Sequence, residues 1–245
     1  MKLEILIQAQ GLTIPMHYNH MVQAALLNAL KNDEYRHFIH DEGYHYEKRS
    51  YKPFTFSTFT GKSKKIKCEK KIQFMDSIHL VVSSSQKEFI NELKEGLEEK
   101  GLRLGNQQLN VQRIIVNEEL LVGSYLKVES LSPVVAYSTV LEGEKKHTQY
   151  FSPLEKAFSQ ILGENIVKKY KAIYGENTLE DESFEVIPIA TEKYIKSVVY
   201  YKNFIINGYN GKFILLGNPT LIQLALESGL GGKNAQGFGC IRAIE

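Results

Sequence analysis

The stretch Gly229-Leu230-Gly231-Gly232-Lys233-Asn234-Ala235-Gln236-Gly237-Phe238-Gly239, which we call the glycine-rich tail, is the most unusual part of this sequence. Five glycines in eleven positions predict positive φ angles, or a backbone that a neighbour approaches too closely for a Cβ atom. Asn218-Pro219 predicts a helix start, because asparagine caps helices and proline suits the first helical position. A helix over residues 219–228 would end at Gly229, and this explains only one of the five glycines.

Two nucleotide-binding loops can be tested on the tail. A P-loop requires serine or threonine after Gly-Lys, whereas Asn234 follows Gly232-Lys233. A dinucleotide fingerprint that starts at Gly229 requires glycine at its sixth position, which is also Asn234. The tail follows a helix, so the negative end of the helix dipole would repel a bound phosphate. Mononucleotide binding is disfavoured, whereas a polyanion backbone could still contact main-chain N–H groups and Lys233.

The composition is that of an ordinary globular protein. Of 245 residues 43% are apolar and 24% are charged, which allows a sizeable core. No run of eighteen apolar residues occurs, and Met1-Lys2-Leu3-Glu4 alternates like a strand rather than a signal peptide. We therefore expect a cytoplasmic protein with no membrane partner. Cys68 and Cys240 are far apart in the sequence and do not indicate a zinc ribbon or a disulfide scaffold.

Positive charge is concentrated in one short segment, although the formal net charge is only +2. Six lysines fall within ten residues: Lys62, Lys64, Lys65, Lys67, Lys70 and Lys71. Such a run is typical of either a solvated hairpin face or an RNA contact.

The predicted elements of the first half follow the order strand, helix, strand pair, helix, strand. They are a strand over 2–9, a helix over 18–30, a short helix from Asp33 to Gly43, a strand over 52–60, a strand pair over 64–82, a helix from a capping box at 85–88 to Gly101, and a strand over 109–116. This order is typical of a ferredoxin-like unit.

The second half repeats the order. It has a long strand or hairpin over 124–150, a helix from 152–155 to about Tyr174, strands over 184–190, 194–201 and 204–216, the helix over 219–228 and a strand over 238–244. The predicted fold class is α+β, with two tandem ferredoxin-like (RRM-like) βαββαβ domains, 1–122 and 123–245, divided near Val122-Gly123. Because the RNA-recognition-motif signature is absent, bound RNA would contact loops, basic edges and the tail.

Histidines cluster in the first half, which holds six of the seven: His17, His20, His37, His40, His45 and His79. Because histidine exchanges protons near neutral pH, the cluster favours an enzyme. His17/His20 and His37/His40 are each three residues apart, but no His-Glu-x-x-His motif supports a metal site. A Gly-x-Ser-x-Gly elbow is also absent. We expect no metal and no cofactor.

RNA cleavage suits these residues, because RNA supplies its own nucleophile, the 2′-OH. The enzyme must deprotonate that hydroxyl, stabilise the phosphorane and protonate the leaving 5′-oxygen. One histidine with a lysine and hydrogen-bond donors can do this without metal and yields a 2′,3′-cyclic phosphate and a 5′-OH. His40 is the strongest candidate, because the negative end of the short helix would favour a charged imidazolium acid.

The tail resembles the glycine-rich signature of the repeat-associated superfamily of CRISPR proteins, and more narrowly the endoribonuclease that cuts repeat–spacer transcripts into guide RNAs. Residues 38–43 and 52–57 resemble that family's histidine segment and its lysine-phenylalanine-threonine strand, and residues 15–20 match the start of its first helix. The resemblance implies that His40 is catalytic and that Lys52 supports the scissile phosphate. It also implies an RNA-binding set of Gly229, Gly231, Gly232, Lys233, Gly237 and Gly239.

The sequence departs from the family in its first helix. Some members have a catalytic tyrosine just before an asparagine, whereas here Leu27 precedes Asn28. Tyr46 or His45, on the loop after Gly43, could substitute, and no spacing argument chooses between them. Our predicted catalytic set is His40, Lys52 and Tyr46.

Two other functions stay open. A non-catalytic RNA-binding scaffold subunit with the same fold would use its histidines structurally. A nucleotide-binding regulatory protein is weaker, because both phosphate-loop tests fail at Asn234. The partner that the resemblance implies is CRISPR repeat RNA, with other CRISPR effector subunits as further partners and either a monomer or a homodimer as the oligomeric state.

Overall fold

The computed structural model of this chain describes residues 1–118, 122–143, 145–189 and 193–245. The N-terminal unit contains strands β1 (Lys2–Ile7), β2 (Thr13–Pro15), β3 (Tyr44–Tyr46), β4 (Arg49–Tyr51), β5 (Phe54–Phe56), β6 (Ser63–Ile66), β7 (Lys71–Phe74), β8 (Ile78–Ser84), β9 (Leu102–Leu104), β10 (Gln107–Leu109) and β11 (Val111–Asn117). Its helices are α1 (Asn19–Ala29), α2 (Asp33–His37) and α3 (Lys87–Lys100), with a π-helical turn at Phe38–Glu42 and a 3₁₀ turn at Lys67–Glu69.

The main N-terminal sheet is antiparallel, in the order β11-β1-β8-β5. In chain order these strands are β1, β5, β8 and β11, so across the sheet they lie in the order fourth, first, third, second. Helix α1 follows β1 and helix α3 follows β8, which is the ferredoxin-like arrangement. Ile5 is paired with Ile114 on one side and Leu80 on the other. The apolar faces of the two helices, including Leu26 and Phe89, are fully buried in the same core as the sheet.

The segment over 64–82 differs from the strand pair that its sequence predicts. It forms three strands in two sheets, because β7 pairs with β6 and β2 while β8 pairs with β1 and β5. The turn around Asp76-Ser77 therefore passes between sheets instead of closing a hairpin. Hairpins β3–β4 and β9–β10 are additions to the basic unit that the sequence pattern did not predict.

The C-terminal unit contains strands β12 (Tyr125–Ser130), β13 (Ala136–Glu142), β14 (Lys145–Phe151), β15 (Phe184–Pro188), β16 (Ile195–Tyr201), β17 (Phe204–Asn210), β18 (Lys212–Gly217) and β19 (Ile241–Ala243). Its helices are α4 (Lys156–Tyr174) and α5 (Pro219–Ser228), with a 3₁₀ turn at Asn234–Gln236. The main sheet has the order β15-β18-β12-β19 and is antiparallel. This is the same arrangement again, so the structure confirms two tandem ferredoxin-like units.

Two hairpins extend the C-terminal unit, β13–β14 and β16–β17. The predicted strand over 204–216 is broken at Gly211, where the ring of Tyr194 occupies the space that a Cβ atom would need. The first piece, β17, completes a hairpin, and the second piece, β18, enters the main sheet.

Helix ends agree with the sequence at one site and differ at two. Asn218 Oδ1 accepts a hydrogen bond from the Thr220 amide at 2.9 Å, as an N-cap should. The short helix is capped by Asn32, whose side chain accepts from the Tyr35 amide, and Asp33 is its first residue. The predicted capping box before α3 makes no side-chain cap, and Gln86 is the N-cap there. Within the described ranges no helix is both long and apolar enough to span a membrane.

Candidate active site

The glycine-rich tail lies where the two units meet and is closed on itself by main-chain hydrogen bonds. The Leu230 amide donates to the Gly239 carbonyl at 2.8 Å, which joins its two ends. The Gly232 amide donates to the Val135 carbonyl at 2.9 Å, and the Gly239 amide donates to the Pro133 carbonyl at 2.9 Å. The tail is therefore a fixed loop in the C-terminal unit.

Side chains of the N-terminal unit hold the other face of the tail. Asn19, at the start of α1, donates from Nδ2 to the carbonyls of Gln236 and Gly237, at 3.0 and 3.2 Å. Thr55 in β5 donates from Oγ1 to the Phe238 carbonyl at 2.9 Å. Ala235 is buried in the N-terminal core. The tail thus joins the two units.

Contacts within the protein account for the glycines. A Cβ atom on Gly231 would lie 2.5 Å from the Val135 carbonyl oxygen, and one on Gly232 would lie 2.6 Å from the Tyr137 ring. Cβ atoms on Gly229, Gly237 and Gly239 would collide with Asn234, Phe56 and the Leu230 carbonyl, respectively, and all three glycines have positive φ. Gly229, Gly231, Gly237 and Gly239 are buried. Of the predicted RNA-binding set, the tail presents only Gly232 and Lys233 at its partly exposed surface.

His40 lies on the π-helical turn that follows α2. Its ring Nδ1 donates to Asp41 Oδ1 at 2.6 Å, and His37 Nδ1 lies 2.7 Å from Asp41 Oδ2, an ion-pair distance. The hydrogen bond from His40 lowers the pKa of Asp41, with the charge of His37 acting in the same direction. Since Nδ1 of His40 is engaged, Nε2 is the ring nitrogen that can exchange a proton with a ligand.

Lys52 is next to the histidine turn. Its Nζ donates to the main-chain carbonyl of His40, which ties the segment before β5 to that turn. Burial lowers the pKa of Lys52, while the carboxylate of Asp41 acts in the opposite direction. The structure thus brings together His40 and Lys52, two of the three predicted catalytic residues.

A cavity of about 400 Å³ lies between this turn and the tail. The N-terminal unit lines it with the charged residues Asp41, Arg49 and Lys52. The C-terminal unit lines it with Lys169 and with Gly232 and Lys233 of the tail. Within the described part of the chain, four cationic side chains and one carboxylate line it, so the cavity attracts anions. His40 is outside the lining, beside Asp41. Burial lowers the pKa of Lys233, whose Nζ lies 5.0 Å from the centre of the Tyr137 ring.

Tyr46, the third predicted catalytic residue, is in a different place. Its hydroxyl donates to Glu176 at 3.1 Å, and Lys171 lies over its ring. It lines a separate cavity of about 670 Å³ together with Lys168 and Lys171 of α4. His45, the alternative to Tyr46, is an exposed residue of β3, and Leu27 is buried in the core of the N-terminal unit. A buried leucine therefore stands where some members of the family that the sequence resembles have a tyrosine.

His17, just before α1, and His20, within α1, contact hairpin β16–β17. The His17 ring lies 4.9 Å from the Tyr200 ring, and the His20 ring lies edge-on to Tyr201 at 6.2 Å. Burial lowers the pKa of His17, and the charge of Lys70 acts in the same direction. Across the residues described, no group of three or more histidine, cysteine, aspartate or glutamate side chains is arranged to hold a metal ion.

Two residues of the site were missed at the sequence level. Lys169 is 1% exposed, and Asn234, which in the sequence only rules out phosphate loops, is buried beside it. Lys168 and Lys169 are adjacent lysines in an amphipathic helix, and helical spacing places one of them inward. That signal could have identified Lys169 as a buried cation.

The family follows from comparison with known proteins. The family model described as CRISPR associated protein Cas6, C-terminal, matches residues 118–243, just over half of the chain. The model described as CRISPR-associated protein Cas6, N-terminal, matches residues 13–115. The chain belongs to the Cas6 family of CRISPR-associated proteins. This confirms the family that the tail and the histidine segment resemble.

Curated Cas6 relatives align with most of the chain. The CRISPR-associated endoribonuclease Cas6 1 of Methanocaldococcus jannaschii is 27% identical over 250 residues, which cover 100% of this chain and 93% of the relative. The putative CRISPR-associated endoribonuclease-like protein Cas6 of Pyrococcus furiosus is 28% identical over 195 residues, covering 78% of this chain and 79% of the relative.

Solved structures of the Cas6 family have the same fold. One, described as "Characterization of a Cas6-related gene from Pyrococcus furiosus", has a TM-score of 0.86 and 25% identity, and covers 100% of this chain and 98% of its own. Another, described as "An RAMP protein binding different RNA substrates", has a TM-score of 0.83 and 23% identity, with 100% of both chains covered. The tandem ferredoxin-like arrangement is thus shared with known Cas6 structures.

Proposed function

We propose that this Cas6-family chain is an endoribonuclease that cuts CRISPR repeat RNA without a metal ion. The observation that carries the proposal is that His40, Asp41 and Lys52 adjoin a cationic cavity whose opposite wall is the tail. Curated relatives over the length of the chain are named CRISPR-associated endoribonucleases, which supports the same activity. We also propose that the two units are domains, 1–122 and 123–245, divided near Val122-Gly123.

The reaction is an internal transesterification of RNA. The 2′-oxygen attacks the adjacent phosphorus, the new P–O2′ bond forms and the P–O5′ bond breaks. The 2′-OH loses its proton to a base, and the 5′-oxygen gains a proton from an acid. The products are a 2′,3′-cyclic phosphate and a 5′-OH, and no oxidant or metal is needed for this balance.

His40 is the general acid/base in this proposal: its Nε2 takes the proton of the 2′-OH, and the imidazolium then gives a proton to the leaving 5′-oxygen. Asp41 Oδ1 accepts a hydrogen bond from His40 Nδ1, with 2.6 Å between the two atoms. This bond orients the ring so that Nε2 is free to contact the RNA. The ring is 62% exposed, so a substrate strand over the cavity mouth can reach it. Proton transfer by a positioned side chain contributes about 10²–10⁴-fold to such a rate.

Lys52 supplies positive charge to the phosphorane. An ammonium group has three N–H donors, and Lys52 uses one on the His40 carbonyl. The remaining donors can bind non-bridging phosphate oxygens, where negative charge increases in the transition state. Because the same hydrogen bond ties Lys52 to the histidine turn, it fixes the position of the ammonium group relative to the imidazole.

The tail binds the RNA backbone through its exposed part. Gly232 lets the Tyr137 ring pack against the tail without a Cβ atom between them, and Lys233 carries the charge. The four buried glycines, Gly229, Gly231, Gly237 and Gly239, act indirectly by allowing the loop to close. We leave Tyr46 out of the catalytic set because it lines another cavity.

The test is cleavage of repeat RNA in EDTA with mapped product ends. We expect the wild type to give 2′,3′-cyclic phosphate ends and His40→Ala to lose at least about 10²-fold in single-turnover rate, with RNA affinity retained. His79→Ala is the matched control, since its main-chain amide and carbonyl pair with Thr60 and it is outside this cavity. Full-rate cutting by His40→Ala would refute the assignment.

A non-catalytic RNA-binding scaffold is the second candidate, and the buried Leu27 favours it because a family catalytic tyrosine is missing there. The same assay separates the two functions, since a scaffold shifts the RNA in a gel without shortening it. A cytoplasmic location, other CRISPR effector subunits as partners, and a monomer or homodimer stay predictions.

A further inference from the structure

Lys169 is a buried cation in the second half of α4. It is 1% exposed, and Nζ donates to the Gly229 carbonyl at 2.6 Å, to Asn234 Oδ1 at 2.8 Å and to the Ser228 carbonyl at 3.3 Å. All three donors of the ammonium group are thus used. Burying a lysine lowers the stability of the fold unless the ammonium group is paired or hydrogen-bonded. A buried lysine with all three donors used therefore indicates that the surrounding loop is built around it.

Lys169 lies where it offsets the negative end of the α5 dipole, which would otherwise disfavour a phosphate at the tail. Helix α5 ends at Ser228, and its carboxyl end carries the negative end of the helix dipole. Ser228 and Gly229 supply two carbonyls at that end, and both accept from Lys169. When Lys169 is protonated, its positive charge therefore lies against the group that would otherwise repel a phosphate.

Lys169 also fixes the side chain that closes the tail. Asn234 accepts from Lys169 through Oδ1, so its Nδ2 points the other way and donates to the Phe238 carbonyl at 3.0 Å and the Leu230 carbonyl at 3.3 Å. These two carbonyls are near the opposite ends of the tail. One lysine thus sets both the charge and the shape of the loop.

We propose that Lys169 is a positioning residue for RNA binding, which neutralises the end of α5 and holds Asn234 so that Gly232 and Lys233 face an RNA phosphate in the cavity. This rests on the proposed function for the identity of the ligand. Lys169 itself makes its contacts inside the protein, and it acts on the RNA through the tail.

The protonation of Lys169 gives this role a measurable signature. Burial lowers its pKa to about 7. The other charged groups on the cavity wall are Asp41, Arg49, Lys52 and Lys233. A phosphate beside Lys233 favours the charged form of Lys169, so RNA binding takes up protons and its affinity falls as the pH rises through neutrality.

The experiment compares Lys169→Met with Lys168→Met, the same change one position earlier on α4. Lys168 is partly exposed, and its Nζ pairs with Glu47 at 2.9 Å, away from the tail. Two quantities are measured. The first is the affinity and proton uptake for repeat RNA blocked by a 2′-deoxy sugar at the cleaved bond, between about pH 6 and pH 9. The second is amide hydrogen exchange of residues 229–239 without RNA.

We expect Lys169→Met to lose about 10-fold in affinity near pH 6.5 and to flatten the pH dependence, while Lys168→Met stays within about twofold. We also expect faster exchange of the tail amides in Lys169→Met alone. A folded Lys169→Met with wild-type affinity and pH dependence overturns the proposal, as does unchanged tail exchange.

If Lys169→Met does not fold, Lys169→Arg takes its place, because its charge cannot be lost and the Lys169-linked proton uptake should vanish. If neither variant folds, the wild type decides, since binding with no proton uptake near pH 7.5 contradicts the proposal. If the wild type binds no repeat RNA, the proposed function fails, and tail exchange in the free variants still decides the role of Lys169.

Discussion

Thr55 in the first sheet donates a buried hydrogen bond from Oγ1 to the main-chain carbonyl of Phe238, 183 positions later in the chain, at a distance of 2.9 Å. The same carbonyl accepts from Asn234 Nδ2 at 3.0 Å. Side chains from both units thus meet on one oxygen of the tail.

Thr55→Val should lower the free energy of unfolding by about 1 kcal/mol, because it removes one buried hydrogen bond while Asn234 still satisfies the carbonyl. Urea unfolding measures this. Thr13→Val is the control, since the Thr13 hydroxyl makes an exposed 3.3 Å bond to Gly11, and its change should stay within about 0.5 kcal/mol. Equal effects at both sites would mean that the Thr55 bond adds nothing to stability.

Gly239→Ala should destabilise the protein far more than Gly11→Ala. Both glycines have positive φ, +71° and +80°, so both alanines carry a left-handed strain of about 1–2 kcal/mol. A Cβ atom on Gly239 also collides with the Leu230 carbonyl, whereas nothing lies within 4 Å of one on Gly11. Thermal unfolding of the two variants isolates the collision, and similar melting temperatures would contradict the described tail geometry.

Asp41→Asn should slow cleavage by about 10-fold or more with RNA affinity nearly unchanged, because the amide lacks the negative charge that pairs with His37 and that holds the His40 ring by its hydrogen bond. The measurement is the single-turnover rate on repeat RNA. Asp33→Asn, which alters an exposed pair with Arg36 at 2.9 Å, serves as the control. If the two variants cut at the same rate, Asp41 does not orient the catalytic ring.

Stability should rise with pH because of Lys169. Its pKa is lowered from 10.5 to about 7 in the folded protein, so between these values the unfolded chain binds more protons than the folded one. The penalty for the buried charge is complete below about pH 7 and shrinks as the pH rises toward 10.5. The free energy of unfolding of the wild type minus that of Lys169→Met should therefore increase over this range. The same difference for Lys168→Met should stay flat, and a flat line for both would show that Lys169 titrates normally.

The order of the main elements could be predicted from the sequence, and their edges only where local signals mark them. Helix α5 was found with its bounds because Asn218, Pro219 and Gly229 are local signals. The break at Gly211 depends on the Tyr194 ring, 17 positions earlier in the chain, and no local pattern contains that contact. The boundary near Val122-Gly123 stays a prediction.

The candidate site also contains residues that short motifs predict and residues that depend on distant contacts. His40 and Lys52 were identified from short motifs, and the structure brings them together through one hydrogen bond. The sequence predicts Tyr46 only because it follows Gly43, whereas in the structure Tyr46 lies on β3 and packs against Lys171 of α4 and Glu176 just beyond that helix. The position of a residue such as Tyr46 is set by contacts with elements far away in the chain, and a local sequence pattern does not contain those contacts.

Ala235 fills part of the N-terminal core, although it is made long after the rest of that core. During synthesis, the first sheet can form on the ribosome with a gap where the tail will sit and with Thr55 lacking its acceptor. The final native state of the first half must therefore wait until the tail has been synthesised. A nascent chain arrested before the tail would carry an unfinished first half.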